Sequence, residues 1–455
     1  LVFGRSFYVR TSGNDSNNGQ NKNQAFKTIF KAAQVAGPGD IVYVGAGTYQ
    51  HTDTIYFNNT QSWASRFSIP SKTFNLKAGT DTSFTLYNPC YFVADTTGTN
   101  TGDAGPVKVM APKDKSVWTF YLNQINNYAF SGFTFVEDPT SKAYKFGESN
   151  AHNTPAGGWL FYGIGAYGGG DFAFISCNFE GFYHSLHTNT AQNVTLYDCQ
   201  FTKSRYMPVY PYMSTNWQLE ECQLGTNPVA ETAWGYTYPL YSLYSEVKMR
   251  NSTYDGTGAG RSGDDWCNGL WSYGPSDKTS TATFDVKGCL FKNASYYAVG
   301  TSWAKTAKIT GNSFQNCRYA IHGHAAEVAI QNNILEQKSD APGYKQWSWG
   351  IYSYGEKVTS SQSWGTAGFK ATKTPVICTN NSIKGYYLGL YVGGNNTDLT
   401  GCSVEGYGCD PYVSNGSGGW QVKSDWQHSY GIYMWGSWYQ TDFTSTGPWA
   451  YRGCD

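Results

Sequence analysis

The sequence predicts an all-β solenoid, a parallel β-helix closed at its N-terminal end by one short helix. Three observations predict it. A six-residue phrase returns as GLWSYG at 269–274, GIYSYG at 350–355 and GIYMWG at 431–436, each copy 81 residues after the last. A shorter line recurs from residue 171 onward at a base period of 21–23 residues with insertions. The composition, with 37 Tyr, 25 Phe, 16 Trp and 52 Gly in 455 residues, suits many short strands joined by turns.

The recurring line reads FISCNF, LYDCQF, LEECQL, MRNSTY, VKGCLF, ITGNSF, IQNNIL, CTNNSI and LTGCSV. Aligned on one small polar position, its column is Cys177, Cys199, Cys222, Ser252, Cys289, Asn312, Asn333, Asn381 and Cys402. Three residues earlier stand Phe174, Leu196, Leu219, Met249, Val286, Ile309, Ile330, Cys378 and Leu399, and two residues later Phe179, Phe201, Leu224, Tyr254, Phe291, Phe314, Leu335, Ile383 and Val404. Spacings of 22, 23, 30, 37, 23, 21, 48 and 21 mark a solenoid with long insertions in some coils. A 3.6-residue pattern is scarce and no Leu-x-x-Leu-x-Leu line occurs, so helical and leucine-rich repeats are excluded. Parallel strands stacked coil on coil remain.

The small polar column has a physical reason. An inward turn residue leaves backbone groups to be satisfied, and stacked Asn side chains can do so from coil to coil. A thiol is small enough to fill the same slot, so Cys177, Cys199, Cys222, Cys289 and Cys402 read as buried, reduced members of the ladder. The chain has 11 cysteines, an odd number, and no CxxC pair to suggest a metal–thiolate site.

At the N-terminus, AFKTIFKAAQVA places Phe26, Ile29, Phe30, Ala33 and Val35 near helical spacing, and Gly37-Pro38-Gly39 ends the run. An amphipathic helix there covers the open end of a solenoid core. This segment and the ladder together resemble the right-handed parallel β-helix proteins of the pectate-lyase-like superfamily. The resemblance covers most of the chain and implies right-handed coiling. It implies no single activity, because that superfamily holds lyases, glycoside hydrolases, epimerases, tailspikes and adhesins. No pectate-lyase or polygalacturonase signature string occurs, so no catalytic residue carries over. The expected organisation is one β-helix domain over 1–455, with an N-terminal cap over about 1–50, regular coils over about 105–440 and a C-terminal cap over about 437–455.

The repeated aromatic phrase belongs to a later strand of each coil. Its aliphatic residue (Leu186, Val209, Leu240, Leu270, Val299, Ile321, Ile351, Leu390, Ile432) faces inward, so the next residue faces out. That outward column is His187, Tyr210, Tyr241, Trp271, Gly300, His322, Tyr352, Tyr391 and Tyr433, and two residues further on run Asn189, Tyr212, Leu243, Tyr273, Ser302, His324, Tyr354, Gly393 and Trp435. Such a periodic aromatic face suits a polysaccharide, whose sugar rings stack through C–H faces and hydrogen-bond through their edges. The expected binding residues are therefore His187, Tyr210, Tyr212, Trp271, Tyr273, Tyr352, Tyr354, Tyr391, Tyr433 and Trp435. Long insertions precede the aromatic strand in several coils and are natural places for chemistry.

Two chemistries compete for these positions. Glycoside hydrolysis needs paired carboxylates, and Asp264 and Asp265 beside Trp266 are the most concentrated acids, with Asp340, Asp425 and Glu231 on other insertions. Elimination from a uronate needs a base and a cation, and His322, His324, Arg318, Lys345, Arg205 and His187 lie in or beside the columns. The resemblance also admits Ca2+ held by Asp264, Asp265 or Asp425, although no calcium-loop pattern is present. Lys+Arg and Asp+Glu balance at 32 each, which argues against a nucleic-acid binder, and no apolar run of about 20 residues would span a membrane. The expectation is a secreted or cell-surface carbohydrate-active protein, lyase or hydrolase. The alternative is a non-catalytic glycan-binding or structural β-helix such as an adhesin, a surface filament or a phage-type spike; a tailspike depolymerase would combine both readings and form a homo-oligomer, a trimer.

Overall fold

From Cys177 onward, what stacks the coils is the small polar column. In a computed structural model, Asn312, Asn333 and Asn381 each donate from Nδ2 to the carbonyl three residues before the ladder position of the preceding coil, at Val286 (3.1 Å), Ile309 (2.8 Å) and Ile330 (2.8 Å). Each Oδ1 accepts the backbone N–H of the preceding ladder residue, Cys289, Asn312 or Asn333, at 2.9–3.1 Å. The thiols use the same carbonyl: Cys199 Sγ donates to Phe174 O (3.3 Å), Cys222 Sγ to Leu196 O (3.6 Å) and Cys402 Sγ to Cys378 O (3.0 Å). A thiol therefore reproduces half of the Asn contact.

The structure describes residues 4–58, 72–75, 83–86, 89–142, 160–204, 206–225, 236–257, 266–267, 269–274, 282–337, 348–354, 376–386, 388–393, 397–405, 412–414, 420–422 and 430–435. They fall into two units, Leu1–Trp234 and Gly235–Asp455. Each unit is built of three-strand coils whose equivalent strands pair in parallel, and the fold is a right-handed parallel β-helix. In the first unit one coil is Gly170–Ile175, Asn178–Glu180 and His184–Asn189, and the next is Gln192–Tyr197, Gln200–Thr202 and Val209–Tyr212. In the second unit Thr283–Lys287, Leu290–Lys292 and Tyr297–Ser302 are followed by Ala304–Thr310, Ser313–Gln315 and Tyr319–Gly323.

The aligned columns of the sequence are the paired columns of the sheets. Phe174 pairs with Leu196 and Leu196 with Leu219 in the first sheet. Phe291 pairs with Phe314 and Phe314 with Leu335 in the second. Equivalent rings stack inside the solenoid, Phe179 on Phe201 at 5.0 Å and 4°, Phe291 on Phe314 at 4.8 Å and 11°. The residue before each ladder position has positive φ, from Ser176 (48°) and Asp198 (51°) to Asn332 (57°) and Asn380 (55°), so the corner between first and second sheets turns on one left-handed residue. Gly288, Gly311 and Gly401 take that position in other coils.

The coils begin earlier than residue 105. Ile41–Val44, Gly47–Gln50 and Ile55–Asn58 already form one, and Cys90–Ala94, Val107–Met110 and Trp118–Asn123 pair onto it. These coils lack the Cys/Asn ladder line, which is why the repeat is silent there. The capping helix is Ile29–Val35 and packs on strands Ser6–Val9 and Ile55–Asn58. Thr28 Oγ1 caps it by accepting from Lys31 N (3.1 Å), and Asp15 holds Thr28 through its N–H and hydroxyl. It buries Ile29, Ala32 and Ala33, whereas Phe30 is half-buried against His51 (4.3 Å). Phe26 lies outside the helix, bridged to Val9 and stacked on Phe7 at 5.8 Å. The C-terminal cap expected over 437–455 lies outside the described residues.

Cys177, Cys199, Cys222 and Cys289 are buried and in no disulfide, as read from the ladder, and Cys402 is only half-buried. Burial pushes the Cys199 thiol well above its usual range, so it donates as a neutral thiol. Replacing Asn333 by Leu removes the acceptor for Asn312 N–H and the donor to Ile309 O, and should cost about 2–4 kcal/mol, against under about 1 kcal/mol for Cys199→Ser, which keeps a donor. Urea denaturation measures both, and equal losses would show that packing alone holds the column.

Candidate functional site

The third-sheet strands carry the aromatic columns in the register read from the sequence. In the first unit Leu186 pairs with Val209, His187 with Tyr210 and Asn189 with Tyr212. In the second, Trp271 pairs with Gly300, Gly300 with His322, His322 with Tyr352 and Tyr352 with Tyr391. The backbone register continues through Tyr391 to Tyr433 and Gly393 to Trp435. His187, Tyr210, Tyr212, Trp271, Tyr273, Tyr352 and Tyr391 are all half-buried. Tyr354, Tyr433 and Trp435 are placed by backbone register, and their side chains lie outside what is described.

Ring orientation departs from the expected row of open faces. His187 stacks on Tyr210 (4.6 Å, 24°), Trp349 on Tyr352 (4.6 Å, 23°) and Tyr352 on Tyr391 (4.5 Å, 23°). Parallel strands about 4.8 Å apart bring equivalent rings to stacking distance, so these rings turn their faces toward each other and their edges outward.

A third aromatic column was missed by strict alternation. Tyr162 and His184 in the first unit, and Tyr297, Tyr319 and Trp349 in the second, stand two residues before the buried aliphatic and pair in sequence. Alternation would point them inward. The strand instead buries two consecutive residues, Ser185 and Leu186, Ala298 and Val299, or Ala320 and Ile321. This local bulge reverses the side-chain direction before it. The bulge residue must be small: a Cβ at Gly163 would sit 2.3 Å from Ser185 O, and at Gly269 2.2 Å from Ala298 O. The glycine that opens GLWSYG is thus a bulge position, and a column of small residues two before each outward aromatic was the available signal.

His322 and His324 are corrections. They were expected in water, but only 2 % and 5 % of their surface is exposed. Trp271 (5.3 Å), Tyr297 (5.0 Å, 23°) and Tyr352 (5.4 Å) surround His322, and Trp303 packs on His324 (5.9 Å). Burial lowers the His322 pKa to about 3, so it is neutral at pH 7. Arg318 is half-buried with its guanidinium 5.2 Å over the Tyr319 ring. Asp264, Asp265 and Lys345, like Arg205, Glu231, Asp340 and Asp425, lie outside the described residues. No group of three His, Cys, Asp or Glu side chains suited to a metal ion occurs among the described residues.

The first unit holds a comparable cluster. Trp118, Tyr162, Tyr167, His184, His187 and Tyr210 contact one another in series, with Trp118 on Tyr162 at 4.8 Å, Tyr167 on His187 at 5.5 Å and His184 on Tyr210 at 5.4 Å. His184 Nδ1 is 2.8 Å from Met207 O, which makes it the protonated nitrogen of a neutral ring. Burial lowers the pKa of His184 to about 3 and of His187 to about 4.

The electrostatic character of the face is simple. None of the third-sheet strands, from Ile55–Asn58 to Tyr430–Trp435, contains Asp, Glu, Lys or Arg, whereas first-sheet strands such as Glu246–Arg250 and Ala304–Thr310 do. The described outward surface of the third sheet is therefore aromatic, amide and hydroxyl, with neutral imidazoles.

A family model described as a right-handed β-helix region matches residues 149–335, and one for a protein family of unknown function, DUF1565, matches 11–57. No curated protein sequence matches the chain. Among solved structures, the surface adhesin PfbA of Streptococcus pneumoniae is similar over 91 % of this chain and 94 % of its own, at 9 % identity and a TM-score of 0.42. An alginate lyase from a Paenibacillus species is similar over 89 % and 99 %, at 8 % identity and 0.39. A lacto-N-biosidase from Eubacterium ramulus is similar over 74 % and 64 %, at 9 % identity and 0.41. These likenesses are of fold alone. No helix among the described residues is long and apolar enough to cross a membrane.

The three imidazoles yield a pH prediction. Their folded pKa values lie below the ordinary 6.5, so the stability they carry is complete above about pH 6.5 and is lost as pH falls to about 3. The urea midpoint should fall over that window, and His187→Gln should flatten the fall. Titration of the His184, His187 or His322 resonances near pH 6.5 would contradict it.

Proposed function

We propose that this chain is a secreted or cell-surface β-helix protein that binds a polysaccharide along the outer face of its third sheet. The observation that carries the reading is the uncharged run of half-buried aromatic residues repeated in register on consecutive coils. A polymer with a repeating ring matches a surface with a repeating ring, and each coil adds one more contact of the same kind. Tyr hydroxyls and ring edges suit the hydroxyl rim of a sugar, and the half-buried indoles suit its C–H face.

Cleavage is the second reading, and the neutral His184–His187 pair on this face favours it. Their rings are 5.7 Å apart and unprotonated, as a general base requires, although burial that lowers their pKa to about 3 and 4 makes each a weak base. Asp264 and Asp265, in the insertion before strand Leu270–Tyr273, are the acids a hydrolase would draw on.

Affinity electrophoresis against neutral and uronate polysaccharides tests binding, with unsaturated product and new reducing ends followed in parallel. Trp271→Ala and Tyr352→Ala should each weaken retention on the bound polymer about tenfold while costing no more than about 2 kcal/mol of stability, as for half-exposed rings. A loss of several kcal/mol with unchanged retention would make these rings core rather than binding surface.

A further inference from the structure

We infer that Trp118–Gly165–His187 and Trp271–Gly300–His322 form two equivalent subsites, one in each unit, for an uncharged sugar ring. The inference deepens the polysaccharide reading and rests on it. In both clusters an indole lies across a glycine in the space a side chain would take: a Cβ on Gly165 would be 2.7 Å from Trp118 Cδ2, and one on Gly300 2.1 Å from Trp271 Cε3 and Cζ3. Neither glycine has a positive φ, so room for the indole, not backbone freedom, explains it. The glycine lets the indole reach an imidazole of the following coil, Trp118 to His187 at 5.6 Å and Trp271 to His322 at 5.3 Å. A tyrosine three residues before the glycine flanks the indole in both, Tyr162 at 4.8 Å and Tyr297 at 5.2 Å.

Tyr297, Gly300 and His322 each stand 135 residues after Tyr162, Gly165 and His187, within YGIG and HSLH in one unit and YAVG and YAIH in the other. The indoles do not follow that spacing. Trp118 pairs with Tyr162 and leans over Gly165, whereas Trp271 pairs with Gly300 directly. The same arrangement is thus reached from two backbone positions, which simple repetition of a coil would not produce. Packing alone would fill the glycine position with a side chain, as most coils do.

The ligand class follows from the charge. The supporting histidines are neutral, and no acid or base occurs in the strands that build either cluster. A polyanion such as a uronate polymer would lose its hydration there without gaining a cation from those strands, and the neighbouring Arg318 already lies over the Tyr319 ring. A neutral pyranose loses little and gains the indole through its C–H face.

The test uses the full chain with neutral probes (dextran, xylan, mixed-linkage β-glucan, galactomannan) and anionic ones (polygalacturonate, alginate). Affinity electrophoresis selects the bound polymer, and calorimetry with its short oligosaccharides counts sites. We expect retention on a neutral polymer only and two sites per chain. Gly165→Ala and Gly300→Ala should each remove one site and weaken polymer retention about tenfold, with circular dichroism unchanged. Trp118→Leu and Trp271→Leu give the same readout should the alanine variants fail to fold. Binding to a neutral polymer that is indifferent to all four substitutions, or preference for a uronate polymer, overturns the two-subsite inference and leaves the binding face standing. Binding to none of the probes overturns both.

Discussion

From Cys177 onward, the stacking of the coils depends on the bond from one ladder side chain to the backbone of the coil before it. Asn312, Asn333 and Asn381 each close two such bonds, and Cys199, Cys222 and Cys402 each close one to the equivalent carbonyl. The side chain is short, so the donor reaches only one carbonyl of the preceding coil and a slip of one residue breaks the contact. Register set at this corner propagates along each strand with a period of two. Buried Leu390 under Ile351 and half-buried Tyr391 beside Tyr352 are consequences of the same few bonds.

Register also orders the outer surface. Rings held about 4.8 Å apart by the backbone stack without further loss of freedom, because the strand has already restricted each side chain. Tyr352 between His322 and Tyr391, and His187 between Trp118 and Tyr210, are pre-positioned in this way. A ligand meeting such a surface pays little to organise it. The same stacking takes ring faces out of play, leaving edges, hydroxyls and the two indoles that lie over glycines. Histidine works here as a neutral aromatic, since burial keeps its proton affinity low.

Much of this was legible in the sequence. The ladder and its flanking columns could be read because burial tolerates so few residue types at those positions, and they proved to be the paired residues of the sheets. The coils before residue 105 were not legible, since the ladder line starts only at Cys177; even in the coil just before it, Phe133 rather than a small polar residue begins the second-sheet strand Phe133–Val136. The column of Tyr162, His184, Tyr297, Tyr319 and Trp349 was hidden by a bulge that alternation does not anticipate. The burial of His322 depends on Trp271 crossing Gly300 from the coil before. Such cover comes from a neighbour 51 residues away, and no local pattern of the His322 strand encodes it.

The most direct measurement is hydroxyl-radical footprinting of the chain, free and bound to the polysaccharide that retains it. The account predicts protection that recurs coil after coil at third-sheet outward residues, Trp118, His187 and Tyr210 in the first unit and Trp271, Tyr352 and Tyr391 in the second. First-sheet Tyr197 and second-sheet Ile334 should be unchanged. Protection centred on the first or second sheet, or confined to a single coil, would contradict it.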